Sequence, residues 1–352
     1  RALIRALSGA GWRVDVICPK PTSRPASSEL PATFTEFTYT APDSMAGRLV
    51  DAVRGAYTFR QLLTQREFDV FLDSVANLPF YPAHLLTPDK ITNAIYVHSF
   101  LGRHASKVLS PGMALGNSVI ERSLPYLSEP EIICNGPSTE RRVQTVTGTD
   151  RTHVLQPCIP TDEFTHTFDP ASDTVVYLGR LSSEKNVEWL LRAWGHVEVS
   201  STTAELKIIG TGPQEPNLRD RCEELELARV EFVGYKSGVE KRRLLEDALV
   251  LVLPSSIEGY GIAGLEALAS GTPVVAGDVP GISDYIDSGE SGYLVEFDDE
   301  HALAETLIKM LNDSESVRPL TEGGRRIADA HSFQVFQEKA DTLFTQLAKP
   351  TR

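Results

Sequence analysis

Pro254-Ser255-Ser256-Ile257-Glu258-Gly259-Tyr260-Gly261-Ile262-Ala263-Gly264-Leu265-Glu266-Ala267-Leu268-Ala269-Ser270-Gly271-Thr272-Pro273-Val274-Val275 is the stretch that decides the fold of this chain. Just ahead of it, Ala248 to Leu253 is an apolar run of strand length. A loop with glycines then opens a short helix, Gly271 stops that helix, and Val274-Val275-Ala276 starts the next strand. A helix start built this way presents free backbone N–H groups and a positive dipole end, which suits phosphate. Glu258 in the loop and Glu266 on the helix could hold hydroxyl groups on either side of that phosphate. In a chain with 48 Asp+Glu the spacing alone means little, and the setting carries the weight.

The same rhythm runs outward. Strand-like runs at 174–179, 205–210, 230–233, 249–253 and 273–276 alternate with helical patterns, which predicts α/β architecture with a parallel sheet covered on both faces. The first half repeats the pattern less cleanly, with strands at 13–18, 69–73, 92–97, 131–134 and 153–155. Gln156 to Ser172 is rich in Pro, Thr and Asp and reads as a linker. The expected organisation is an N-terminal domain over 1–158, a C-terminal domain over 171–331 and an amphipathic helix over 332–349. Arg1 to Leu7 already reads as the middle of a helix, so a first strand and its loop are expected to be missing.

At 352 residues with 41% hydrophobic content, the chain can build two ordinary domains. A net charge of -14 argues against nucleic acid as a partner. Residues 1–150 hold 15 Lys+Arg and 14 Asp+Glu, so the excess acid lies beyond them. This reads as a solvated acidic surface, or as a first domain that does not repel anionic lipid. Peripheral membrane contact through the N-terminal domain therefore stays open. No apolar stretch approaches a membrane span. The expected location is cytoplasmic, with the inner face of the membrane as an alternative. Cys18, Cys134, Cys158 and Cys222 share no metal-ligand spacing and read as inert thiols. His and Cys spacing gives no zinc site, and no Asp-x-Asp stands at a strand end. The reaction is expected to need no metal and no cofactor.

Gly259-Tyr260-Gly261-Ile262-Ala263-Gly264 is literally G-x-G-x-x-G, with Asp278 at the end of the following strand. That is a dinucleotide-binding fingerprint, which makes an NAD(P)-dependent oxidoreductase an alternative. Against it, Pro254 to Glu258 separate the strand from the first glycine. Arg180 ends one strand and Lys185 opens the next helix, where a guanidinium and an ammonium could clamp a departing diphosphate. Gly210 and Gly212 follow the next strand, and Val233 and Tyr235 the one after. Ordinary strand-end turns explain those glycines equally well. In the first half, His98 follows the apolar strand Ala94-Ile95-Tyr96-Val97. Asp73 and Asn77 end the preceding strand and Asn135 follows the next one, as acceptor-binding groups or as turn and cap residues.

Together these segments resemble the retaining glycosyltransferase family 4. Its E-x7-E signature is similar to the Glu258–Glu266 stretch, with Pro-Ser before, Gly-Tyr-Gly between and Gly-Thr-Pro-Val-Val after. Gly179-Arg180-Leu181-Ser182-Ser183-Glu184-Lys185-Asn186 is similar to its G-R-L-x-x-x-K-N segment. Pro280 to Ile286 is similar to its G-G-x-x-E-x-I segment, with Pro280 and Asp284 as departures. The resemblance implies the GT-B architecture: two Rossmann-like domains facing across a cleft, with the C-terminal helix packing back on the first. It implies a hexosyltransferase that moves a hexose, mannose or glucose favoured, from a nucleoside diphosphate sugar to a hydroxyl acceptor with retention. Glu266 would hold the ribose, and Glu258 with the backbone of Gly259, Tyr260 and Gly261 the donor sugar. Gly210, Gly212, Val233 and Tyr235 would line the nucleotide, and His98 would lie near sugar and acceptor. Phe71-Leu72-Asp73-Ser74 with Tyr96-Val97-His98 is faintly similar to mannosyltransferases that extend dolichol-linked oligosaccharides, which points to a lipid-linked glycan acceptor. A non-catalytic sugar-nucleotide-binding protein is the remaining alternative.

Overall fold

The structure, a computed structural model, describes residues 1–19, 30–37, 45–75, 81–98, 100, 111–126, 129–169, 171–201 and 203–348. It divides into two compact units, residues 1–156 with 333–352, and residues 157–332.

The first unit runs α1 (Ala2–Gly9), β1 (Asp15–Pro19), β2 (Thr33–Phe37), α2 (Met45–Gln65), β3 (Val70–Val75), α3 (Tyr81–Leu86), β4 (Thr92–Val97), α4 (Pro111–Ser123), β5 (Glu131–Cys134), α5 (Pro137–Thr147) and β6 (Thr152–Val154). Strands β3-β4-β5-β6 form a parallel sheet in that order, and β1 pairs with β2 in parallel. Ala94, Ile95, Tyr96 and Val97 of β4 are all buried, as expected of a strand covered on both faces.

The second unit runs β7 (Thr174–Leu178), α6 (Val187–Ser200), β8 (Glu205–Ile209), α7 (Glu215–Glu224), β9 (Val230–Gly234), α8 (Gly238–Glu246), β10 (Val250–Leu253), α9 (Ile262–Ser270), β11 (Val274–Gly277), β12 (Gly292–Val295), α10 (Glu300–Asn312) and α11 (Arg318–Ala330). Its six strands are parallel in the order β12-β11-β10-β7-β8-β9. Side chains alternate between two cores. Val175, Tyr177, Val250 and Val252 meet Trp189, Trp194 and Leu307 on one face; Val176, Leu251, Leu253 and Val274 meet Leu265, Leu268 and Ala328 on the other. Each fully buried aliphatic side chain contributes roughly 1.5–3 kcal/mol.

α12 (Phe333–Leu347) closes the chain and belongs with the first unit. Phe336, Ala340, Leu343, Phe344 and Leu347 are its buried face, at the spacing of a helical stripe. Trp12 Nε1 donates to Asp341 Oδ1 at 2.8 Å, and the Trp12 ring meets Phe344 edge-on.

Two strands escape the sequence reading, β2 and β12. Both are short and lie at sheet edges, where half-exposure breaks up the apolar run that marks a buried strand. β12 opens on Gly292 because β11 leaves no room: a Cβ there would lie 2.1 Å from the Val274 carbonyl oxygen. Among the described residues, no helix is long and apolar enough to cross a membrane.

Candidate active site

In the second unit, β7 lies between β10 and β8, and the chain winds outward in opposite directions from these neighbours. The carboxyl ends of β7 and β10 therefore flank a topological switch point, where open α/β sheets bind ligands. Arg180 and Lys185 follow β7; Glu258 follows β10. The helices after both strands start at a left-handed residue, Asn186 (φ 47°) for α6 and Gly261 (φ 79°) for α9, and neither has a side-chain cap. Their first N–H groups are left for a ligand.

The two loops interlock. Lys185 Nζ donates to Glu258 Oε2 at 2.5 Å across 73 residues of sequence. Ser256 donates to the Glu184 carbonyl oxygen through its backbone N–H (2.9 Å) and its hydroxyl (3.1 Å). Glu258 also accepts from the Ser255 hydroxyl at 3.2 Å and the Gly259 N–H at 3.1 Å. A carboxylate offers about four lone-pair sites and an ammonium three donors, so both groups keep capacity for a ligand. The Arg180 side chain is exposed and forms no ion pair among the described residues, while its carbonyl accepts from the Tyr177 hydroxyl at 2.8 Å. Burial opposes ionisation of Glu184, but the Ser182 hydroxyl, its own backbone N–H, Lys185 and Arg180 outweigh it and hold the carboxyl below the usual range.

Glu266 lies on α9 and pairs with Lys241 of α8 at 2.7 Å, with both side chains mostly covered. Sequence reasoning passed over Lys241 because nothing local distinguishes it from other surface lysines. Glu184 and Tyr285 lie inside the quoted segments at positions given no role there, and His331 lies outside every quoted motif.

The glycines acquire specific roles. A Cβ on Gly210 (φ 143°) would lie 1.8 Å from the Gly179 carbonyl oxygen, and one on Gly212 would lie 2.2 Å from that of Leu181. Leu181 N–H donates to Thr211 O at 3.0 Å, and Gln214 N–H to Leu181 O at 3.0 Å. Gly210 and Gly212 thus clasp the Arg180 loop. The third glycine of G-x-G-x-x-G, Gly264, faces the buried Tyr285 hydroxyl, which donates to Gly261 O at 2.8 Å. A Cβ on Gly281 (φ 98°) would lie 2.9 and 3.0 Å from the carbonyl oxygens of Glu258 and Gly259, so the segment from Pro280 to Ile286 backs the Glu258 loop. The Tyr260 side chain turns inward: its ring stacks on Tyr285, and its hydroxyl lies 2.7 Å from His331 Nε2. His331 Nδ1 lies 2.8 Å from the Ile327 carbonyl and must donate to it; in the neutral ring Nε2 then accepts from the Tyr260 hydroxyl. Val233 packs against the core, and Tyr235 beyond β9 is exposed.

In the first unit, Ser74 Oγ lies 2.8 Å from His98 Nε2, and Asn135 Nδ2 donates to His98 O at 2.6 Å. His98, Ser74 and Asn135 thus gather at the carboxyl edge of the sheet. Partial burial lowers the His98 pKa even though its ring reaches solvent. Asp73, next to Ser74, points to the opposite face of the strand. There its Oδ2 lies 3.2 Å from Nε2 of the fully buried His84, whose Nδ1 lies 2.5 Å from Asn93 Oδ1. Asp73 is therefore committed away from the His98 edge, and Asn77 lies outside the described residues. Burial pushes the Cys134 thiol up to about 12 and those of Cys158 and Cys222 to about 11, so these three are not thiolates.

Residues 1–163 match Glycosyltransferase Family 4, and residues 159–327 match Glycosyl transferases group 1. The chain is similar to the putative colanic acid biosynthesis glycosyltransferase WcaL of Escherichia coli, 30% identical over 183 residues, or 49% of this chain and 45% of that protein. The matched segments span less than half the length of the first curated relatives. Among solved structures it is similar to sucrose-phosphate synthase from Thermosynechococcus elongatus (TM-score 0.82, 21% identity, 100% of this chain and 93% of that one). It is also similar to Anabaena HepE in complex with UDP and glucose (TM-score 0.75, 15% identity, 95% and 100%). These likenesses show the fold, which is GT-B.

Proposed function

Because the chain belongs to the glycosyltransferases, its first half to Family 4 and its second half to group 1, we propose that it moves a hexose, mannose or glucose, from a nucleoside diphosphate sugar to a hydroxyl of a glycan acceptor with retention of configuration. The Lys185–Glu258 pair, set between two uncapped helix starts at the switch point, carries this reading. Arg180, the remaining donors of Lys185 and the N–H groups of Ile262 and Ala263 neutralise the diphosphate as it departs. Glu258 accepts hydroxyls of the donor sugar. Glu266, held by Lys241, accepts the ribose hydroxyls. The acceptor oxygen bonds to the anomeric carbon from the face the phosphate leaves, and its proton passes to the departing phosphate oxygen. No side chain is assigned as general base. Arg180 and Lys185 supply the positive charge, so the reaction needs no metal. His98, Ser74 and Asn135 serve the acceptor, which is a lipid-linked glycan presented at a membrane surface.

HepE was solved with UDP and glucose, so UDP is the first nucleotide to test, beside GDP and ADP. Calorimetric titration should give one preferred nucleoside diphosphate. Glu266→Ala should weaken that binding by roughly 1.5–3 kcal/mol, the range for hydrogen bonds to a charged group. Unchanged affinity in the variant removes Glu266 from the ribose. The anomeric configuration of the product, read by NMR, decides retention.

A further inference from the structure

On the face of α6 that packs toward α10, Arg192 and His196 are four residues apart and so lie one above the other. Arg192 Nε donates to Glu300 Oε2 at 2.8 Å, and its Nη2 to Asp298 Oδ1 at 2.5 Å. That grip leaves Glu300 Oε1 facing His196 Nε2 at 3.8 Å. His301 is next in sequence, and its ring centroid lies 4.8 Å from that of His196 at a 45° tilt. Asp299 caps α10 by accepting from Ala302 N–H at 2.9 Å, which fixes the turn that presents Glu300 and His301.

One donor atom from each of His196, Glu300 and His301 lies within 4.8 Å of the other two. We propose that these residues form a binding site for a transition-metal dication of the zinc class, with water as the fourth ligand. Bonds of about 2.1 Å in a tetrahedral site set the donors about 3.4 Å apart. The His196–Glu300 separation is already near that, and both imidazoles are exposed and can rotate to close the rest. Two imidazoles and a carboxylate suit zinc or nickel and not magnesium or calcium. Arg192 is the outer-shell partner that orients the carboxylate. Asp298, Asp299 and Glu300 offset the positive end of α10, so the site is not repelled by a cation. His196 lies ten residues beyond Asn186, about 15 Å along α6, and none of the ligands serves the proposed transfer chemistry. A bound ion would pin the first turn of α10 to α6 and stabilise the folded chain by mass action.

The test titrates the chelator-treated full chain with ZnCl2 in a calorimeter, with MgCl2 alongside, and follows thermal melting. Saturable one-to-one Zn2+ binding, a raised Tm and no Mg2+ effect are expected. His196→Ala and His301→Ala should each weaken Zn2+ binding by about 10–100-fold, at least the loss seen when an outer-shell partner is removed. Both residues are exposed, so metal-free variants should melt with the wild type; His196→Gln and His301→Asn serve if an alanine variant does not. Absence of saturable uptake, or uptake unchanged in both variants, overturns the site.

Discussion

At the carboxyl edge of the second unit's sheet, Lys185 and Glu258 meet at 2.5 Å between loops that share backbone hydrogen bonds and glycine clasps. At the corresponding edge of the first unit, Ser74 and His98 meet at 2.8 Å, with Asn135 holding the His98 carbonyl. The first arrangement places charge on a scaffold held by backbone hydrogen bonds and close glycine contacts. The second places a hydroxyl, an amide and an imidazole, which donate or accept hydrogen bonds. An anionic leaving group needs preorganised charge, which loses its value if the groups must reorient during reaction. A neutral hydroxyl needs hydrogen-bonding capacity and room. The division of labour proposed for the two halves follows from that contrast.

Four measurements would break or sharpen the contrast. The largest effect is expected from Lys185→Ala, which removes a preorganised cation and should lower donor turnover about 10²–10³-fold, or about 2.7–4 kcal/mol. A loss below threefold with the fold intact would show that charge at this edge is not preorganised for the leaving group. Next is Gly210→Ala, where the new Cβ meets the Gly179 carbonyl at 1.8 Å in a backbone conformation that L residues rarely adopt. It should destabilise the chain by about 3 kcal/mol, read by chemical denaturation. Wild-type stability would mean that the clasp around the Arg180 loop is slack.

His98→Ala should cost about 1.4 kcal/mol, or tenfold, in acceptor-dependent turnover while leaving nucleotide affinity unchanged. Equal losses in both would place His98 on the donor. The smallest effect concerns its titration. Burial lowers the His98 pKa, so NMR should find the midpoint below the ordinary value of about 6.5. The fold favours the neutral ring, so its contribution to stability is complete above about pH 6.5 and is lost as pH falls through the lowered midpoint. A midpoint at or above 6.5 would mean the ring is not desolvated.

Much of the second unit was legible because its central strands β7, β10 and β11 are buried on both faces and therefore appear as unbroken apolar runs. The first unit was harder to read, since β1 and β2 form a separate short pair and β2 sets two phenylalanines among threonine and glutamate. Asp73 shows the limit of position-based reasoning. It stands near a strand end, as a ligand-binding residue would, yet one step in a strand reverses the direction of a side chain, and its neighbour Ser74 takes the edge.

The sequence by itself determined the alternation of strands and helices, the loops in which Arg180, Lys185 and Glu258 sit, and the placing of Glu266 on a helix. These follow from local periodicity and from glycine and proline punctuation, which act over a few residues. Only the tertiary structure decided that Lys185 meets Glu258, that Lys241 meets Glu266, that Gly210 faces the Gly179 carbonyl, and that His196 stands beside Glu300 and His301. Each depends on which strands become neighbours and which helix faces pack. That is set by burying the apolar surface of the whole unit, so no local pattern records it.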